Sequence, residues 1–143
     1  MKGCGISILV AALIGAMLII WLLVERKNIQ KKELPDIEFK TRNFLAYFNS
    51  ETFDEIDKMF GLALIKIYEK NKRLQLIGDA KKLVGGKVTI VKLINWKLNQ
   101  IAGQKFILIS YACNSEKGET KMTIKYNWEN EWKIEAFEFK MKN

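Results

Sequence analysis

Acid–base chemistry at neutral pH draws first on histidine, and this 143-residue chain has none. Carboxylates are left as the candidates: Glu135 and Glu138 near the C-terminus, and Asp54, Glu55 and Asp57 in the first half. A carboxyl group that moves protons must titrate inside a cleft. Glu135 and Glu138 instead lie between Lys133 and Lys140 on a strand-like segment, as solvated cross-strand charges do. Asp54, Glu55 and Asp57 open a helical segment, where negative charge favours the helix dipole. All five are read as structural, no catalytic residue is assigned, and the chain is read as a non-enzyme. Cys113 is the single cysteine of the folded part, so an internal disulfide and a metal site of Cys and His type are excluded there. No phosphate loop, nucleophile elbow or dinucleotide fingerprint occurs, and no cofactor or metal is expected.

Two other groups could bind rather than react. Trp96, Tyr111, Tyr126, Trp128 and Trp132 fall at strand spacing, and either fill the core between helix and sheet or line a ligand pocket. Lys70-Asn71-Lys72-Arg73 is either a site for an acidic partner or a wet helical face.

The elements that must position these residues follow from periodicity. Ile37, Phe44, Leu45 and Phe48 share one helical face behind Asp36, a natural N-cap. Thr52 and Glu55 have capping-box spacing ahead of Phe53, Ile56, Met59 and Phe60, and Gly61 suits a left-handed stop. A third helical stretch runs from Leu62 to Val84, weakened at Gly78 and ended by Gly85-Gly86. The period then changes to two. Val88, Ile90, Ile94, Trp96 and Leu98 mark one buried face, and residues 105–114 are apolar on both faces like an interior strand. Thr120, Met122, Ile124, Tyr126 and Trp128 alternate cleanly. In the last strand Trp132, Ile134 and Ala136 hold one parity, and Phe137, Phe139 and Met141 hold the other. That slip predicts a bulge near Ala136-Phe137 and a curled sheet. The fold class is α+β, with helices on a curved four-stranded antiparallel sheet over residues 36–143.

Ahead of this domain, residues 5–24 form an uncharged run whose helical length, about 30 Å, equals a bilayer's hydrocarbon thickness. Residues 1–25 are read as a transmembrane signal-anchor and 26–35 as a charged juxtamembrane linker. Ala11 with Gly15, and Ala12 with Ala16, have the spacing that lets membrane helices pack. The short basic tail at Lys2 favours an exported C-terminal domain at a bacterial inner membrane, whereas Arg26, Lys27, Lys31 and Lys32 favour a cytoplasmic one. The exported orientation is preferred. The net charge of +8 comes from 21 lysines and three arginines spread among acids. It is not the clustered pattern of a nucleic-acid groove, and no nucleic-acid partner is expected.

Helices first, then a meander whose final hairpin reads Tyr126-Asn-Trp-Glu-Asn-Glu-Trp-Lys-Ile134, with Gly85-Gly86 before the sheet, resembles the nuclear transport factor 2-like (cystatin-like) superfamily. The likeness is to small membrane-anchored members of unknown function, and it implies a cone whose mouth can hold a ligand. The expected function is a non-enzymatic interaction or assembly module of the cell envelope, partnered by the membrane and by other envelope proteins or itself. The alternative is a ligand-binding or enzymatic cone with an aromatic-lined pocket.

Overall fold

A computed structural model describes the backbone of residues 4–143 and the side chains of residues 13–28 and 31–143. The elements in chain order are α1 (Cys4–Lys32), α2 (Leu34–Asn49), α3 (Phe53–Asp57), α4 (Leu62–Ile67), α5 (Lys70–Val84), β1 (Thr89–Ile101), β2 (Gln104–Ser115), β3 (Gly118–Trp128) and β4 (Trp132–Met141). The chain forms two compact units, one ending at Phe39 and the other running from Lys40 to Asn143.

The first unit corrects the expectation of a transmembrane anchor over residues 1–25. Among the described residues, no helix is long and apolar enough to cross a membrane. Leu13 to Val24, the apolar residues of α1 whose side chains are described, form one uninterrupted stretch. It runs directly into Glu25, Arg26 and Lys27 within the same helix, which continues to Lys32. Residues 26–32, read as linker, are therefore helical, and Pro35 sits in the first turn of α2, where its missing N–H costs nothing. Of the small-residue pairs, Ala11 and Ala12 lie outside the described side chains. Ala16 is exposed, and a Cβ added to Gly15 would meet no atom within 4 Å.

In the second unit the four strands follow one another as a meander, β1-β2-β3-β4, each pair antiparallel. Ile107, Ile109, Tyr111 and Cys113 of β2 and Met122, Ile124 and Tyr126 of β3 turn one buried face toward the helices. The slip in β4 is absorbed at Glu135. Tyr126 pairs with Ile134 and Lys125 with Ala136, so Glu135 is the extra residue, one position before the expected site. The bulge brings Phe137 and Phe139 onto the same face as Ile134. Phe44 and Phe48 of α2 pack there, with ring centroids 5.4 Å from Phe137 and 4.9 Å from Phe139.

β1 departs from its simple alternation for the same reason. Its register shifts between Ile90 and Lys92 and again between Leu93 and Asn95, which leaves Val91 and Ile94 unpaired. Ile94, expected on the buried face, is 47% exposed, and Leu93 pairs with Tyr111 instead.

The helix junctions differ from the local reading because distant residues complete them. The Thr52 hydroxyl makes no capping bond; it lies 2.7 Å from the Ser50 hydroxyl, and Glu55 pairs with Lys58. Gly61 is extended (φ −82°) rather than left-handed and stands at the N-cap of α4. A side chain there would meet Glu129 Oε1 and the Lys133 Cβ at 2.7 and 3.2 Å. The same Glu129 carboxylate accepts from the Leu62 N–H with both oxygens at 3.1 Å, so a loop 67 residues away starts α4. The long helical stretch breaks at Tyr68-Glu69, not at Gly78. Gly78 stays inside α5, and its added Cβ would touch the Phe53 ring at 4.0 Å. α5 ends at Gly85, as expected, and Gly85 closes it in the left-handed region (φ +79°).

Candidate functional site: a cleft between α4, α5 and β4

The carboxylates come first, because their geometry decides what chemistry is open to them. Asp54 pairs with Lys70 at 2.7 Å, and that contact holds its carboxyl below the usual range. Glu55 pairs with Lys58, and Glu135 with Lys125 at 2.9 Å across the β3–β4 ladder. Asp57 receives both arms of the Arg73 guanidinium. These four acids are thus answered by neighbouring cations, the arrangement of structural charges. Among the described residues, no group of three or more Cys, Asp or Glu side chains is placed to hold a metal ion.

The five aromatic candidates lie at different places on the sheet. Tyr126 is fully buried on β3, its hydroxyl 2.8 Å from the Thr41 hydroxyl of α2. Tyr111 is buried on β2, opposite Met122 of β3. Trp128 and Trp132 stack edge to face at the β3–β4 turn, centroids 5.2 Å apart, with the Lys105 ammonium 5.8 and 5.7 Å from their rings. Trp132 is buried and Trp128 is 45% exposed. Trp96 lies half-buried on the edge strand β1. These rings chiefly supply core and one end of the sheet.

Among the described residues a hollow lies elsewhere. A cleft of about 230 Å³ lies where α4, α5 and β4 converge, and is walled by Phe60, Leu64, Leu76 and Ala80 on one side and residues 136–139 on the other. Its apolar lining has two sources. Leu76 and Ala80 lie one turn apart on α5, and the Glu135 bulge swings Phe137 and Phe139 toward the helices. Phe60 and Phe137 stack nearly parallel, centroids 6.1 Å apart.

Two charged residues also border the cleft, Arg73 and Glu138. Glu138 is exposed. Arg73 is buried, contrary to its reading as part of a wet face. Its Nε and Nη2 donate to Asp57 at 2.6 and 3.0 Å, and Nη1 donates to the Tyr68 carbonyl at 2.6 Å. The bond with Asp57 pushes the guanidinium pKa further up, so Arg73 is a permanent cation already committed to its partner.

Sequence reasoning missed this site because no local pattern marks it. Phe60, Leu76 and Phe137 read as ordinary helix and strand residues; the one available signal was the parity slip in β4. No protein-family model matches the chain, and no curated protein is similar to it in sequence.

Proposed function

We propose that the α+β part of this chain is a cone of the nuclear transport factor 2-like kind that works as a non-enzymatic protein-interaction module. Its docking point is the cleft between α4, α5 and β4. The order of elements supports the comparison with that superfamily: helices first, then a four-stranded meander bent near its end. The observation that carries the functional reading is the character of the cleft. It is open and apolar, and of the two charges beside it one is paired internally and the other faces solvent. Such a surface rewards burial of an apolar side chain, at roughly 25 cal/mol per Å² removed from water, and offers no poised acid or base.

The surroundings favour a macromolecule. α4 has no buried residue, and Leu62, Ile65 and Ile67 leave it exposed, Ile67 by 69%. Apolar residues grouped beside an open cleft mark an interaction surface more than isolated ones do. A photo-crosslinking residue at Leu76, compared with one at the exposed Asp79 a turn away, tests the reading in cells that naturally express the protein. A discrete protein adduct formed from position 76 and missing from position 79 is expected. Equal crosslinking from both positions sinks it.

A small apolar ligand is the second reading, favoured by the Phe60, Phe137 and Phe139 rings that border the cleft. Native mass spectrometry separates the two: a retained mass of a few hundred daltons on the purified chain, lost on Ala80→Trp, belongs to a ligand.

A further inference from the structure

Strand register sets the side chains of the sheet in transverse rows. Lys92 of β1 pairs with Ala112 of β2, Ala112 with Lys121 of β3, and Lys121 with Lys140 of β4. Residues paired in this way share one face of the sheet. Ala112 alternates with the buried Tyr111 and Cys113, so the row lies on the opposite, outer face, and all three lysines are exposed. Neighbouring strands are about 4.8 Å apart, so the three lysines stand within about 14 Å.

Lys121 and Lys140 are directly opposite one another, an arrangement that costs stability in an antiparallel pair. Other lysines of the same face are answered: Lys125 by Glu135 at 2.9 Å, and Lys133 by Glu131 at 2.8 Å. Among the described residues, Lys92, Lys121 and Lys140 make no ion pair. Two acids lie in the adjoining rows. Glu119 is tied to Lys142 at 3.2 Å, and Glu138, opposite Thr123, pairs with none of the three. Even with Glu138 set against it, the row keeps an excess of positive charge. It also has a floor. Ala112 places only a methyl group between Lys92 and Lys121, so their flexible stems have room to lean over it. Beside it the Ser110 and Thr123 hydroxyls, 3.0 Å apart, form the next row.

We infer that this row is a binding site for a compact polyanion carrying two or more phosphate groups, held by Lys92, Lys121 and Lys140 above Ala112. An anion seated there turns the Lys121–Lys140 repulsion into shared attraction. Several phosphates are required because one small ion cannot meet cations spread over three strand spacings. Phosphate suits lysine, a point charge with rotatable donors, without the planar fork that favours carboxylates. Compactness follows from placement. Lys97, also exposed on this face, pairs with Leu108, four residues along β2 and about 13 Å from the row. The site is independent of the cleft, which none of the three lysines borders.

The test titrates the full chain with inorganic tripolyphosphate at constant ionic strength, followed by calorimetry, with sulfate as the control anion. Tripolyphosphate should bind and sulfate should not. Lys121→Gln and Lys140→Gln should each lose about tenfold in affinity, whereas Lys97→Gln should keep most of it. Lys140→Glu sets opposite charges across the ladder, so it should abolish binding while raising the melting temperature of the free protein, which separates lost binding from lost folding. Vesicles of phosphatidylcholine with and without phosphatidylinositol bisphosphate tell a headgroup from a free phosphate. Binding to the phosphoinositide vesicles alone, lost in Lys121→Gln, supports the site and assigns its phosphates to a lipid. Equal affinity of Lys121→Gln and the natural chain overturns the inference, as does failure of both probes. An equal loss in Lys97→Gln reassigns any binding to diffuse charge, and tighter binding of a single-stranded oligonucleotide that also needs Lys97 overturns the compact ligand.

Discussion

The Arg73 guanidinium and the Asp57 carboxylate lie side by side with two bonds between them, tying α5 to the end of α3 across sixteen residues of chain. A planar fork against a carboxylate is the strongest geometry available to such a pair. Here it also fixes one border of the cleft. Nη1 spends its proton on the Tyr68 carbonyl, which lies at the break between α4 and α5, so one side chain organises three helices.

Removing one member should therefore cost more than removing an exposed pair. Asp57→Ala leaves the buried guanidinium without its counter-charge, and the melting temperature should fall well beyond the change seen for Asp54→Ala, whose partner Lys70 is solvated. Adding Arg73→Leu to Asp57→Ala should recover part of the loss. Equal melting temperatures for Asp57→Ala and Asp54→Ala would remove the special role given to this pair.

Asn49 imitates a strand at the end of α2. Its side-chain amide donates to the Val88 carbonyl and its Oδ1 accepts from the Val88 N–H, both at 2.8 Å, which aligns the entry to β1. Asn49→Ala should destabilise the fold by about 1–3 kcal/mol in urea unfolding, since a part-buried backbone donor and acceptor lose their partners. Asn49→Asp keeps the acceptor alone and should fall between the two.

Glu131 controls part of the acid limb. Hydrogen bonds from Lys133 (2.8 Å) and Lys40 (3.2 Å) hold its carboxyl below the ordinary 4.5. A carboxyl with a depressed folded-state pKa stabilises fully above its unfolded value, and the contribution disappears as pH falls through the folded value. Glu131 is half-exposed, so solvent screens the effect. The urea midpoint of Glu131→Gln should lie slightly below that of the natural chain at pH 6 and match it at pH 3. A gap that persists at pH 3 would assign the effect to packing.

Cys113 should be chemically silent in the folded protein. Burial pushes its thiol up to about 11 from 9.0, against a smaller opposing effect of the Met122 backbone. Two pKa units mean about a hundredfold less thiolate at pH 8, before access is counted. In a Cys4→Ser background, Ellman's reagent should react with the native chain at least about a hundredfold more slowly than in guanidinium. Comparable rates would show that the β2 face opens readily.

Local pattern was enough for the sheet. The period-two runs of β3, the doubly apolar β2 and the parity slip in β4 are properties of neighbouring residues, and all three appear in the meander. The end of α5 at Gly85 was legible too, because glycine is poor inside a helix and suits its close. Where a distant group completes a local feature, short-range reasoning failed. Gly61 is there because Glu129 and Lys133 crowd it, not because it ends a helix, and the Thr52 hydroxyl meets Ser50 instead of capping α3. The sequence by itself thus determined the order of the elements, the antiparallel sheet and the point at which it bends. The tertiary structure alone decided that Arg73 turns inward to Asp57 and that a hollow opens beside Phe137. Periodicity assigns a residue to a face, but which faces meet, and which charge finds a partner, depends on contacts between residues far apart in the chain.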